Sequence, residues 1–233
     1  MGSGRVILVT GASASIGKHL AEYYVAAGHQ VIGCSRRSVE DSERYRHFSL
    51  DISDDSEVRA MFAAIRRDYG RLDILINNAG VHSAGLAMTA NEQGIRDVLN
   101  TNLLGTILCS REAVKIMSMN SFGRIVSMTS VAVPLASIGS SVYGSSKAGV
   151  EHFTKVLARE VTKLGITANV LGLSVVENSG MVEGLSDDAR SDTLGQLIAG
   201  KPLSMDDLTN ALDFMISDDS GALTSQTIHI GGA

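Results

Sequence analysis

Val6-Ile7-Leu8-Val9-Thr10-Gly11-Ala12-Ser13-Ala14-Ser15-Ile16-Gly17 is an apolar run that breaks on glycine and resumes as an amphipathic stretch. The apolar half reads as a buried strand, Arg5 to Thr10, and the helical spacing that follows reads as a helix, Ile16 to Ala27. Strand, glycine turn and helix in that order open a βαβ unit whose turn suits an anion. Gly11 permits the reversal, and Gly17 lets the helix pack close to the strand. Backbone amides from Gly11 through Ile16 to Gly17 point with the helix dipole towards a pyrophosphate, and Ser13 and Ser15 add hydroxyls.

Outward from this unit, apolar runs continue to alternate with amphipathic stretches. Strands are expected over Gln30 to Ser35, His47 to Leu50, Leu72 to Ile76, Gly123 to Thr129, Ile166 to Leu171 and Gln226 to Ile230. Helices are expected over Ser53 to Asp68, Glu92 to Met119, Val142 to Leu164 and Met205 to Ser217. That pattern predicts an α/β chain of a single domain spanning 1–233. Its core would be a doubly wound parallel sheet of about seven strands with helices on both faces, a Rossmann fold. Pro134 and Pro202, the only prolines, fall in expected loops.

The second strand ends in Cys34-Ser35-Arg36-Arg37. A ribose 2′-hydroxyl wants a carboxylate at that place and a 2′-phosphate wants a cation, so the arginines favour NADPH over NADH. Arg36 is the expected contact; Arg37 is either a second one or a solvated charge. Asp51-Ile52, after the third strand, either caps an adenine pocket or places an aspartate at a helix N-terminus. Asn77-Asn78-Ala79-Gly80 lies at the sheet edge where ligands of such folds bind, with Asn78, Ala79 and Gly80 expected beside the adenine ribose. Asn77 reads as a tie between strands.

Tyr143 and Lys147 stand four residues apart, one helical turn, and Ser130 precedes the tyrosine by thirteen. Phenol and ammonium then share a helix face, where a cation favours the phenolate of a group that otherwise titrates near pH ~10. This is the equipment for moving a proton to or from a carbonyl oxygen.

Composition narrows the classes further. A chain of 233 residues, 44% hydrophobic, can bury one sizeable core. A formal net charge of −5 gives no basic footprint for nucleic acid and no polybasic segment for a membrane. No apolar run reaches the roughly 18 residues needed to cross a bilayer, and no secretory leader is evident, so a cytoplasmic protein is expected. Cys34 and Cys109 read as reduced thiols, and the histidines lack metal-ligand spacing, so no metal is expected.

With these motifs in place, the chain resembles the short-chain dehydrogenase/reductase family from Val6 to Gly232. The turn Thr10 to Gly17, Asp51-Ile52, Asn77 to Gly80, Asn102, Ser130 and Tyr143-Gly144-Ser145-Ser146-Lys147 stand in the family's order. Gly123-Arg124-Ile125-Val126, Leu157-Ala158-Arg159-Glu160 and Ile228-His229-Ile230-Gly231-Gly232 look most like the 3-oxoacyl carrier-protein reductases of fatty-acid and polyketide synthesis. The resemblance implies a catalytic set of Asn102, Ser130, Tyr143 and Lys147. Tyr143 would protonate the carbonyl oxygen while Ser130 holds it. Lys147 would lower the phenol pKa and bind the nicotinamide ribose, so Tyr143 and Lys147 also count as cofactor contacts. Asn102 would bind a water that reprotonates the tyrosine. Val176 and Asn178 would touch the nicotinamide amide.

Departures from the family are plain as well. Ser15 replaces a usual glycine, Ala14 stands where an arginine often assists the 2′-phosphate, and Leu173-Ser174 replaces a proline-glycine pair. The stretch 174–204 reads as a substrate lid, with Met181, Val182, Leu185, Leu194, Leu197 and Ile198 offering an apolar face to an acyl chain or simply to the core. Arg124, Arg159 and Lys163 are candidate contacts for an acidic carrier protein or plain surface charge. The long helices suggest a homotetramer, as is common in the family. The expected activity is NADPH-dependent reduction of a 3-oxoacyl thioester, with a free ketone or alcohol, or a non-catalytic NADP-binding scaffold, as alternatives.

Overall fold

The computed structural model describes residues 4–177, 179, 191 and 194–232. The first strand, β1 (Val6–Thr10), leads into α1 (Ser15–Ala26), β2 (Gln30–Ser35), β3 (Tyr45–Ser49), α2 (Asp55–Tyr69) and β4 (Ile74–Asn77). There follow α3 (Glu92–Leu99), α4 (Gly105–Met117), β5 (Gly123–Ser130), the short α5 (Ala132–Leu135), α6 (Ser141–Val161), β6 (Ile166–Leu173), α7 (Met205–Ile216) and β7 (Thr227–Ile230). The strands form one parallel sheet of seven, in the order β3-β2-β1-β4-β5-β6-β7. Its helices cover both faces, a single Rossmann-like domain as the alternation predicts.

Period-two alternation places the core. Along β1, Val6 and Leu8 enter the layer under α2, α4 and α6, while Ile7 and Val9 enter the layer under α1 and α7. Each strand of the interior is apolar on both sides because each side meets a helix. Every fully buried aliphatic side chain there contributes roughly 1.5–3 kcal/mol, and β1 alone buries Ile7, Leu8 and Val9 completely. Helix ends follow local chemistry. The Asp54 side chain accepts from the amides of Ser56 and Glu57 to start α2, and Gly70 closes it in the left-handed region.

Three expectations change, one being that Pro134 lies not in a loop but in the short helix α5. β3 begins at Tyr45 rather than His47, because Val31 of β2 already pairs with Tyr45. The single helix expected over Glu92 to Met119 is instead interrupted by a π turn, Asn100–Leu104, and closes in a 3-10 turn, Ser118–Asn120. The widened turn inserts one extra residue per loop of backbone and swings Asn102 inward, a device common at functional sites. Strand order reverses between β1 and β4, and the crevice beyond their carboxyl ends is where a ligand finds exposed backbone.

Candidate active site

A cleft of ≈ 1140 Å³ runs across that crevice from the glycine turn to α6. It is larger than the ~300–1,000 Å³ usual for one small ligand. Gly11, Ser13, Ser15, Ile16 and Gly17 line one end, Arg36, Arg37, Asp51 and Ile52 the flank, Asn78, Ala79 and Gly80 the floor. Ser130, Tyr143, Lys147 and Val176 line the far end. Asn102 lies behind this wall, fully buried, and Asn178 falls outside the described residues.

Hydrogen bonds explain why the floor holds its shape. The Thr10 hydroxyl accepts from the amides of Asn78 (3.1 Å) and Ala79 (2.9 Å), and Asn78 Nδ2 donates to the Thr10 carbonyl at 2.9 Å. The end of β4 is thereby laced to the end of β1. A Cβ at Gly17 would stand 2.2 Å from the Gly11 carbonyl oxygen, so the first turn of α1 accepts only glycine at this position. Ser15, in the place of a glycine, takes a φ of 49°, inside the left-handed region. Asn77 donates to Ser110 on α4 and Ser127 on β5, a tie between elements.

Of the two readings of Asp51, the helix cap is not the one observed. The cap is Asp54, whereas Asp51 Oδ1 accepts from the amide and the hydroxyl of Ser53 and so closes its own turn beside Ile52.

At the far end, α6 presents Tyr143 and Lys147 to the tip of β5. Both side chains are buried. Burial pushes the Tyr143 phenol above 10, and its hydrogen bond with Ser130 pulls it back. Lys147 Nζ donates to the Met128 carbonyl at 2.9 Å and lies 5.9 Å from the centre of the phenol ring. Burial lowers the Lys147 pKa to about 8. The expected depression of the phenol by Lys147 is thus not what governs this arrangement. The ammonium is turned towards backbone, and desolvation sets the direction for both groups. Such a phenol keeps its proton at neutral pH.

Asn102 acts as a brace. Its Oδ1 accepts from the Val81 amide at 2.8 Å, and its Nδ2 donates to the Val81 carbonyl and to Ser146 Oγ, both at 3.0 Å. The π turn therefore pins the loop after β4 to α6, between Tyr143 and Lys147 in sequence. The side chain expected to hold a water is engaged with protein.

Other sequence expectations are displaced. Arg124 is buried, not a docking cation. It donates to the carbonyls of Gly123, Ser217 and Asp218 and lies over the Phe122 ring. It also sits at the start of β5, whereas the cleft opens at its end. Arg159 and Lys163 are exposed, but about 16 to 20 residues past Tyr143 along α6 and its last turn, roughly 24 Å or more by helical rise. Neither reaches the mouth of this chain's own cleft.

Two residues escaped the sequence reading. His82 meets the Tyr143 ring edge-on, centroids 4.7 Å apart; its only signal was a place two residues after Gly80. Glu151, two turns after Tyr143, is buried under α6, accepting from Thr129 Oγ1 at 3.2 Å with His229 Nε2 at 3.3 Å. Three-way convergence from β5, β7 and α6 is not visible in any one segment.

Known proteins are similar to this chain in sequence and in fold. A model of the short chain dehydrogenase family matches residues 5–190. The 3-oxoacyl-(acyl-carrier-protein) reductase FabG of Escherichia coli (strain K12) is 34% identical over 236 residues, covering 98% of this chain and 96% of that protein. FabG of Staphylococcus aureus (strain Mu50) is 33% identical, covering 97% and 96%. Among solved structures, ElxO with NADP bound has a TM-score of 0.88 at 27% identity, covering 97% and 96%. An actinorhodin polyketide ketoreductase variant with NADPH has a TM-score of 0.86 at 25% identity, covering 98% and 96%.

Proposed function

We propose, from the premise that this chain belongs to the short chain dehydrogenase family, that it is an NADPH-dependent reductase of a 3-oxoacyl thioester, giving the 3-hydroxyacyl form. One observation carries the reading: a single cleft joins the glycine turn to the Ser130–Tyr143–Lys147 group. The residues present fit the cofactor. Ser13, Ser15 and Gly17 line the cleft where α1 turns its amino end towards it, and Arg36 and Arg37 offer cations where a 2′-phosphate would lie. Asn78, Ala79 and Gly80 would border the adenine ribose, and Tyr143, Lys147 and Val176 the nicotinamide half. NADPH, when bound, supplies the hydride.

The chain's own part is acid chemistry and positioning. Tyr143, protonated at neutral pH, gives its proton to the carbonyl oxygen as the neighbouring carbon is reduced. Ser130, within reach of the phenol, donates to the same oxygen as charge develops there. Lys147, cationic below its pKa of about 8, stabilises the phenolate left behind. Asn102 holds Val81 and Ser146 so that the wall and the helix keep their spacing. Val131, Leu135 and Ile138 give the cleft mouth an apolar side suited to an acyl chain; of the stretch expected to act as a lid, residues 178, 180–190, 192 and 193, with Met181, Val182 and Leu185 among them, lie outside the described residues.

A free ketone or alcohol is the second reading. It is favoured by the burial of Arg124 and the distant placement of Arg159 and Lys163, which leave a carrier protein without the expected cations on this chain. Turnover of NADPH, followed by its absorbance, with a carrier-bound 3-oxoacyl thioester and with its free analogue separates the two. Comparable rates on both substrates would set the carrier reading aside, and NADPH binding without turnover on either would favour the scaffold. The cytosol, where Cys34 and Cys109 stay reduced, is the proposed location.

A further inference from the structure

We infer that His47 is a positioning residue that selects the 2′-phosphorylated cofactor by fixing the turn bearing Arg36 and Arg37. The inference rests on the NADPH reading and adds to it a residue that touches neither cofactor nor substrate. Arg36 and Arg37 follow β2 directly and both line the cleft. Exposed arginines lose much side-chain entropy on binding unless the backbone beneath them is held.

Here it is held at one atom. The Arg37 carbonyl oxygen accepts from Ser35 Oγ at 2.7 Å and lies 3.0 Å from His47 Nε2. A carbonyl can only accept, so Nε2 carries the ring proton. Nδ1 is then the acceptor, and the Tyr45 hydroxyl, 2.7 Å away, donates to it. The backbone amide of His47 donates to Asp41 Oδ1 at 2.7 Å, which ties the far side of the same loop. Ser35 Oγ also stands 3.0 Å from Nε2 and completes the cluster.

Sequence supports a built arrangement. The Tyr45 hydroxyl occupies the space over Gly33, where a Cβ would stand 2.1 Å from it, so β2 gives up a side chain to let the tyrosine reach the imidazole. β3 thus places Tyr45 and His47 on one face, two residues apart, beneath the tip of β2. The imidazole's two ring nitrogens are both engaged within this cluster, Nε2 at the Arg37 carbonyl and Nδ1 at the Tyr45 hydroxyl.

The test is calorimetric binding of adenosine 2′,5′-bisphosphate and of 5′-AMP, which differ only in the 2′-phosphate. His47→Ala is expected to weaken the bisphosphate about fivefold or more while 5′-AMP changes less than about twofold. His47→Gln, whose amide can still donate to the Arg37 carbonyl, should recover part of the loss, and Ser35→Ala should show a smaller loss of the same selectivity. Thermal melts check that each variant is folded. An unchanged preference in folded His47→Ala, or equal weakening of both nucleotides, would overturn the inference alone. Equal affinity of the unaltered protein for both nucleotides would remove the NADPH reading, and this inference with it.

Discussion

At the scale of single residues, the site is governed by desolvation. Tyr143 is held protonated by burial and Lys147 is brought down to about 8 by the same cause. The proposed reaction draws a proton from the phenol and uses a cation beside it. The maximal rate of ketone reduction is therefore expected to fall as pH rises through about 8, where Lys147 loses its charge, and Lys147→Arg should move that limb upward if it retains activity. Initial rates against pH at saturating NADPH check this. Tyr143→Phe removes the acid but leaves the ring, so turnover should drop by ~10²–10⁴ with NADPH affinity, read by its fluorescence, unchanged. The shared face of Tyr143 and Lys147 was legible in the sequence because helical spacing alone sets it, whereas the role of Ser130 entered with the resemblance. The direction of the Lys147 ammonium was not, since it depends on where the Met128 carbonyl ends up.

Elements act as braces, and two of them can be broken selectively. Asn102 sits in the π turn and makes three hydrogen bonds to Val81 and Ser146. Asn102→Ala leaves the Val81 amide without its partner, a loss of about 1–3 kcal/mol, and should lower both the urea midpoint and the maximal rate. Thr129, Gly172 and His229 stand in register across β5, β6 and β7. The His229 ring fills the space that a side chain on Gly172 would need, and a Cβ there would stand 2.1 Å from it. Gly172→Ala should therefore destabilise by ~1–3 kcal/mol, and the added change His229→Ala should recover part of it in a double-mutant cycle. Local pattern gave the elements because each interior strand is a short apolar run and each helix repeats on its own. The break in the helix after Leu99 was invisible, since a π turn keeps the same residue types and changes only which carbonyl each amide meets.

For the whole molecule, apolar side chains left on the surface point to assembly. Leu99, Leu104, Val156 and Leu164 are exposed on α3, the π turn, α6 and the 3-10 turn after it, and α3 and the π turn pack against α6. A homotetramer is proposed, and size-exclusion chromatography with light scattering should give about four times the chain mass of 24.5 kDa; a monomer peak alone would refute it. Acid stability is set elsewhere. His29 is buried, neither ring nitrogen has a partner among the described residues, and burial lowers its pKa below 6.5. Above 6.5 both folded and unfolded chains hold it neutral, so it has no effect; as pH falls below 6.5, the unfolded chain takes up the proton first and stability is lost until the lowered folded value is reached. Urea midpoints of His29→Phe should fall less steeply than those of the unaltered protein over roughly pH 5 to 7. The sequence by itself determined the alternation of strands and helices, the glycine turn, the paired arginines and the Tyr143–Lys147 spacing, because each is a local pattern of a few residues. Only the tertiary structure decided that Arg124 is buried, that Glu151 meets His229, and that His47 lies beneath Arg37. Those contacts join segments far apart in the chain, and their distances follow from how the sheet and helices pack.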